Sequence, residues 1–482
     1  MLNARITKNK FFVFCFLALY ALSLLLLFSR RGVGFYLHPF AGDSFMDLFN
    51  MAVRPYNTTY PPLSLIPFKL LHLLPHPDVA LSEEGLRANY CGAMFLALYF
   101  LAFASVFLFT TYFFVKGEPK RKIFYSVLLL FSGIVLWALE RANIMSFAFL
   151  LSLLFVIFYS SGDEKKKRLS YLFIALAMSL KLYPGAFLLL LLEKKDFKGL
   201  LTVALETLVI FVFSFIACAH LDFIINFEKS MGLMNYMKSA LAFVKVAAHL
   251  ALFALLAAAA CFLLFQIHAE NWKRAGIAGA ACLAAFFAAA LYLRVAKGVD
   301  ALAWLSVAAE SVLNALKFGD RMTKNAEGVN VSIKNFVLLA HFFLTGKASV
   351  QSGAAIALCK ILCAALCVFS FAFNKKIWKK LLSVSLLCVY VPDFSGMYLL
   401  LYLLIPLLHF INDGEESALD FAFACLFAVA TTFLIVPHKF VLSAYYLVTG
   451  SFVVISLSVF AMFLLVVLSA AFDLIKERRQ AR

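Results

Sequence analysis

Two carboxylates stand one helical turn apart in the stretch Gly42-Asp43-Ser44-Phe45-Met46-Asp47. At i and i+4 on a helix they share a face and crowd their negative charge together. A carboxylate held this way can take a proton from an alcohol as a general base. The plain alternative is a solvated helix start, where Asp is favoured in any case. Further along, Glu140, Arg141 and Asn143 separate two apolar runs, and Lys181 lies in the middle of another. Charges within a bilayer are costly and usually mark function, although Glu140 and Arg141 can also simply neutralise each other. A cation at such depth suits a phosphate, to which Arg offers a fork of donors and Lys a point charge. Arg141 and Lys181 are thus the candidate phosphate ligands. Tyr60, Tyr183, Asn330, Ser332, Asp393 and Tyr398, with Glu140 and Asn143, are the candidate substrate contacts. Taken singly, each is an ordinary polar residue. No cluster requires a metal, and none implies a cofactor.

The elements that must position these residues are set by composition. Of 482 residues, 64% are apolar and 14% charged, against roughly 45–50% and about 25% in a soluble domain. The apolar residues come in runs such as 11–28, 91–115 and 447–472, each near the ~20 residues that one membrane-crossing helix needs. The chain therefore reads as an all-α integral membrane protein, a single polytopic domain over residues 1–482. Its net charge of +17 comes from short basic clusters between apolar runs, the positive-inside pattern of membrane proteins, which excludes nucleic acid as the partner. The Cys residues lie mostly inside apolar segments with no C-x-x-C pair and read as small buried hydrophobes. At the N-terminus a basic stretch precedes the run Phe11 to Phe28, and Ser29-Arg30-Arg31 follows it directly, so the first span is expected to stay uncleaved.

Spans are expected near 11–29, 90–115, 123–138, 143–160, 199–218, 243–267, 275–296, 353–373, 377–391, 397–411, 418–436 and 447–472, about 12 in all. With both termini cytoplasmic, the mostly basic loops 116–122, 163–168, 268–274 and 374–380 fall inside, as do 412–417 and the tail 476–482. Segment 169–192 breaks this alternation, because Lys165-Lys166-Lys167-Arg168 and Lys194-Lys195 make both its flanks positive. At its centre is Lys181-Leu182-Tyr183-Pro184, and Pro disfavours helix at its own position and the one before. Two half-helices in a re-entrant hairpin follow, with irregular backbone lining a protein-enclosed cavity. Two large external loops remain. Loop 30–89 holds a short amphipathic helix near 44–54 and an interfacial one near 63–74, and loop 297–352 holds an amphipathic stretch at 301–317. Residues 241–292 are Ala-rich, which lets helices approach closely. In this topology the acidic loop and the other external polar clusters share the outer face.

The pattern resembles the GT-C superfamily of membrane glycosyltransferases, and within it glycosyltransferase family 87, which includes the actinobacterial phosphatidylinositol-mannoside mannosyltransferases. Six stretches carry the resemblance in order: Gly42 to Asn50, Pro55-Tyr56 with Tyr60-Pro61-Pro62-Leu63, Glu140 to Asn143, Leu180 to Pro184, Asn330 to Ser332, and Pro392 to Pro406. They span most of the chain apart from the Ala-rich region. The resemblance implies a GT-C-like bundle in which an Asp of the first external loop is the catalytic base. Asp47, in the context Asp-Leu-Phe, matches the loop motif better than Asp43. It also implies transfer of a hexose such as mannose from a polyprenyl phosphate sugar to a lipid-linked or glycan acceptor, outside the plasma membrane. Two departures stand out: Asn50 and Met51 replace an aromatic residue after the Asp, and Gly396-Met397 replaces the Trp or His expected near Tyr398. A secondary transporter is the rival class, since it too uses midplane charges and broken helices. The large outer loops, the acids outside the membrane and the lack of an internal repeat count against it.

Overall fold

The computed structural model describes residues 7–27, 47–49, 61–72, 90–231, 258–269, 271–282, 284, 330–346, 353–392, 395–432, 439–443 and 446–480. Asp43, Tyr60 and Asp393 lie outside these residues, as do the stretch 301–317 and most of the helix expected near 44–54. The helices are α1 Lys8–Leu27, α2 Pro62–His72, α3 Tyr90–Phe114, α4 Pro119–Leu130, α5 Gly133–Arg141, α6 Met145–Tyr159, α7 Glu164–Leu180, α8 Leu189–Glu193 and α9 Phe197–Met231. After them come α10 Ala258–His268, then α11 Ile333–Thr345, α12 Gly353–Phe373, α13 Ile377–Tyr390, α14 Leu404–Asn412, α15 Ala418–Thr432 and α16 Gly450–Gln480. Short 3-10 segments, Tyr183–Leu188 and Met397–Leu403, lead into α8 and α14. An antiparallel hairpin, β1 Lys439–Ser443 with β2 Tyr446–Thr449, precedes α16. That hairpin is the departure from an all-helical reading.

Among the described residues, α1, α3, α9, α12 and α16 are long and apolar enough to cross a membrane. The chain is a multi-pass helical membrane protein. The single span expected at 123–138 is instead the pair α4 and α5, bent by 50°. Ser132 causes the bend: its extended backbone, φ −65° and ψ 147°, starts a new helix at Gly133. Pro119 opens α4 at a position where its missing N–H is no loss. Ala142, in the left-handed region at φ 48°, closes α5. Asp163 caps α7 by accepting from the Lys165 N–H.

The chain divides into two compact units. Unit 1 comprises Met1–Met46, Tyr99–Leu150 and Gly319–Arg482, and unit 2 comprises Asp47–Leu98 and Leu151–Phe318. In unit 1, α1 packs on α15, α12 on α13 and α16, and α13 on α14. Buried Trp378 meets the rings of Phe410 and Phe423 edge-on at 5.0 and 4.9 Å. At one end of this unit the segments around Lys8, Lys116, Lys376 and Asp413, all assigned to one side by the charge pattern, meet. Lys8 Nζ lies 3.2 Å from Asp413 and 3.9 Å from Asp420, and Lys376 Nζ lies 3.2 and 3.0 Å from the same two carboxylates. The Trp378 indole N–H donates to Asp413 at 3.0 Å, and the Lys116 N–H donates to Asn412 Oδ1 at 2.8 Å.

This network gives a signed pH dependence. Partial burial opposes the Asp413 carboxylate, but the Glu415 N–H, Lys8 and Lys376 outweigh it and hold its pKa below the ordinary Asp value. Partial burial likewise opposes the Lys376 ammonium, yet Asp420 and Asp413 raise its pKa above the ordinary lysine value. Asp413 therefore adds stability above the ordinary Asp pKa, lost as pH falls through its lowered value. The Lys376 contribution is full below the ordinary lysine pKa and is lost as pH rises through its raised value. Thermal unfolding followed from acid to alkaline pH is expected to show both limbs. Lys376→Met should lower the midpoint and flatten the alkaline limb, and an alkaline limb unchanged in this variant contradicts the assignment.

In unit 2, α9 packs on α2, α7 and α8. Asp196, in the turn before α9, gathers one end of these helices. It accepts from the Tyr171 hydroxyl at 2.6 Å and from the Gly199 N–H at 3.0 Å, and pairs with Lys167 at 3.1 Å. Partial burial raises its pKa, but these partners together hold it below the usual value. Gly199 is required here, because a Cβ would fall 2.7 Å from Leu191 and 2.8 Å from the Tyr171 ring. Lys167 and Lys194 both sit over the ring of Tyr159, at 6.0 and 4.7 Å. The two basic flanks of segment 169–192 thus meet at the same end.

Candidate active site

The break in the middle of that segment follows from one missing hydrogen atom. In a continuous helix the Leu180 carbonyl accepts from the N–H four residues later, and that residue is Pro184, which has none. The helix stops at Leu180, and Lys181 takes an extended backbone at φ −154° and ψ 141°. The orphaned carbonyl is buried and needs a donor. The hydroxyl of Ser64, fully buried on α2, supplies it. The start of α2 and the break after α7 are therefore joined through Ser64 and Leu180. Ser64→Ala is expected to destabilise the protein by about 1–3 kcal/mol, the usual result of leaving a buried acceptor unsatisfied. Ser64→Thr should recover most of that loss in thermal unfolding.

Lys181, partly buried at this break, lies in the electrostatic field of Asp47. Asp47 has helical backbone, as do Leu48 and Phe49, which are anchored at 2% and 1% exposure. The carboxylate remains partly accessible while its neighbours are fixed. A carboxylate and an amine from distant parts of the sequence thus act on each other electrostatically within unit 2. Tyr183 begins the 3-10 segment, partly exposed, and Pro184 behind it is buried.

The remaining candidates belong to unit 1. Glu140 and Arg141 are the last residues of α5 and both are partly exposed. Asn143, 1% exposed, turns its side chain back on the chain, with Oδ1 accepting from the Met145 N–H at 2.9 Å. The Tyr99 hydroxyl donates to the Asn143 carbonyl at 2.8 Å. Asn143 shapes the turn that presents Arg141. Asn330 works similarly: its Oδ1 accepts from the N–H groups of Ser332 and Ser395 at 2.9 and 3.0 Å, and its backbone bridges Gly396. Ser332 caps α11 by accepting from the Asn335 N–H. These bonds tie the end of the second loop to the segment that leads into Tyr398. Gly396 stands where an aromatic residue was expected, because the Tyr398 ring leaves no room for a Cβ there.

Sequence reasoning missed Ser64 and Ser395. Pro184 signals that the Leu180 carbonyl lacks its donor but says nothing of which residue replaces it. Ser395 carried no signal at all.

Fold and site together define a multi-pass helical membrane protein in which a carboxylate acts electrostatically on an amine at a helix break. The model of glycosyltransferase family 87 matches residues 58–313, more than half of the chain, and the chain belongs to that family. It is a glycosyltransferase. The matched region contains Ser64, Glu140, Arg141, Asn143, Lys181 and Tyr183, while Asp47 and Asn330 lie outside it. No curated protein and no solved structure matches the chain.

Proposed function

We infer that this glycosyltransferase moves a hexose, mannose being the first to test, from a polyprenyl phosphate sugar to a hydroxyl of a lipid-linked or glycan acceptor. The observation that carries this reading is the electrostatic interaction of Asp47 with Lys181 at the Pro184 break. The acceptor oxygen attacks the anomeric carbon, and its proton passes to the Asp47 carboxylate. The bond from that carbon to the phosphate oxygen breaks, and the polyprenyl phosphate leaves with the electron pair, its charge met by Lys181. One displacement inverts the anomeric centre. Arg141, in unit 1, is the second candidate cation for the phosphate.

The chemistry takes place on the outer face of the plasma membrane, with both termini cytoplasmic and about 12 spans. Segment 169–192 enters and leaves from the same side, a reading supported by Lys167 and Lys194 meeting on Tyr159. The test is transfer of labelled sugar by purified protein, offered a short-chain polyprenyl phosphate mannose, the corresponding glucose donor, and nucleotide sugars. Product from a polyprenyl phosphate donor alone, with inverted linkage, is expected. Efficient transfer from a nucleotide sugar overturns the proposed donor class.

A further inference from the structure

Helix α9 is apolar enough from Phe197 to Ser214 to cross a membrane, yet it carries Glu206, whose side chain is 0% exposed. Thr202, Glu206 and Ser214 recur at i, i+4 and i+12, which places them on one side of the helix, and all three are buried. Among the described residues, neither oxygen of the Glu206 carboxyl has a hydrogen-bond partner, and neither has Nδ1 of His268. These two groups face each other at 3.8 Å. His268 ends α10, and Gln266 beside it is buried. Among the described residues, the ionisable group facing Glu206 is His268. The helices packed on α9 carry further charged residues, Lys69 on α2, Glu164 to Arg168 on α7 and Glu193 on α8.

A lone carboxylate inside hydrocarbon is strongly disfavoured, and removing one partner of a buried ion pair is likewise destabilising. Two arrangements avoid that outcome. Either Glu206 is a neutral acid beside neutral imidazole, or its carboxylate faces imidazolium. Both hold one proton between the two residues. Losing that proton leaves an isolated buried anion at Glu206, and gaining another leaves a cationic His268, 31% exposed, without its counter-charge. The geometry points to Glu206, buried within the apolar part of α9, and His268, at the end of α10, as a proton-binding pair that joins the two helices through one retained proton. Neither residue belongs to the Asp47–Lys181 site, so the pair stands or falls independently of the sugar-transfer reading.

Difference infrared spectroscopy of the full-length protein in lipid nanodiscs, titrated with pH, tests this. A carboxylic-acid C=O band lost in Glu206→Gln is expected. In His268→Gln its midpoint should move by about one pH unit or more, as it does when a charge within ~4–6 Å is removed. If every acid band survives in Glu206→Gln, or the midpoint does not respond to His268→Gln, the pair does not bind the proton. Should Glu206→Gln fail to fold, nitrogen NMR of labelled histidine decides, with His268 assigned by its loss in His268→Gln. A His268 signal that titrates like free imidazole overturns the proposal, and one that stays fixed across that range supports it.

Discussion

Asp47→Asn lowers turnover by a factor of about 10²–10⁴, the contribution typical of a positioned general base, while donor binding is unchanged. Asn is nearly the same size and leaves Leu48 and Phe49 anchored, so the loss reports on chemistry and not on folding. The defect should depend on the acceptor. An acceptor whose reacting hydroxyl is made more acidic by a neighbouring fluorine needs less help from a base, and with it the gap between Asp47→Asn and the parent should narrow. Asp43→Asn is the companion measurement. If Asp43→Asn abolishes transfer and Asp47→Asn retains it, the roles are reversed; if both retain full activity, neither is the base.

The sequence made some of this site readable because the signal was local. Pro184 withholds a donor from Leu180 wherever the rest of the chain lies, so a break beside Lys181 followed from spacing alone. The meeting of that break with Asp47 depended on packing between remote segments, and only a shared outer face hinted at it. Asn143 was picked out between two apolar runs and Asn330 late in the second external loop, but a sequence cannot say whether an amide faces a substrate or its own backbone. Both spend their side-chain oxygen on backbone N–H groups. The span expected at 123–138 has the right composition, and only the extended conformation at Ser132 divides it. The hairpin at 439–449 lies between apolar runs and is itself rich in residues that suit either state. Glu206 escaped notice for the opposite reason: a single acid in a long apolar run looks tolerable until its burial is seen.

Lys181→Met is expected to reduce kcat/KM by about 10²–10³, the range found when one fixed group stabilising developing charge is removed. Lys181→Arg should recover only part of it, because a planar guanidinium fork does not replace a compact ammonium point charge. The remedy for this variant differs from that for Asp47→Asn. Lys181 acts on the departing phosphate, so a donor with an intrinsically better leaving group should narrow the defect, while an acidified acceptor should not. The two residues also stabilise one displacement and feel each other's charge, so their effects should not add. Asp47→Asn combined with Lys181→Met is expected to fall short of the summed losses by roughly 0.5–3 kcal/mol, the range found for energetically coupled residues. Strict additivity, with either defect relieved by the wrong substrate change, separates the pair and leaves Lys181 a structural cation that holds the helix break.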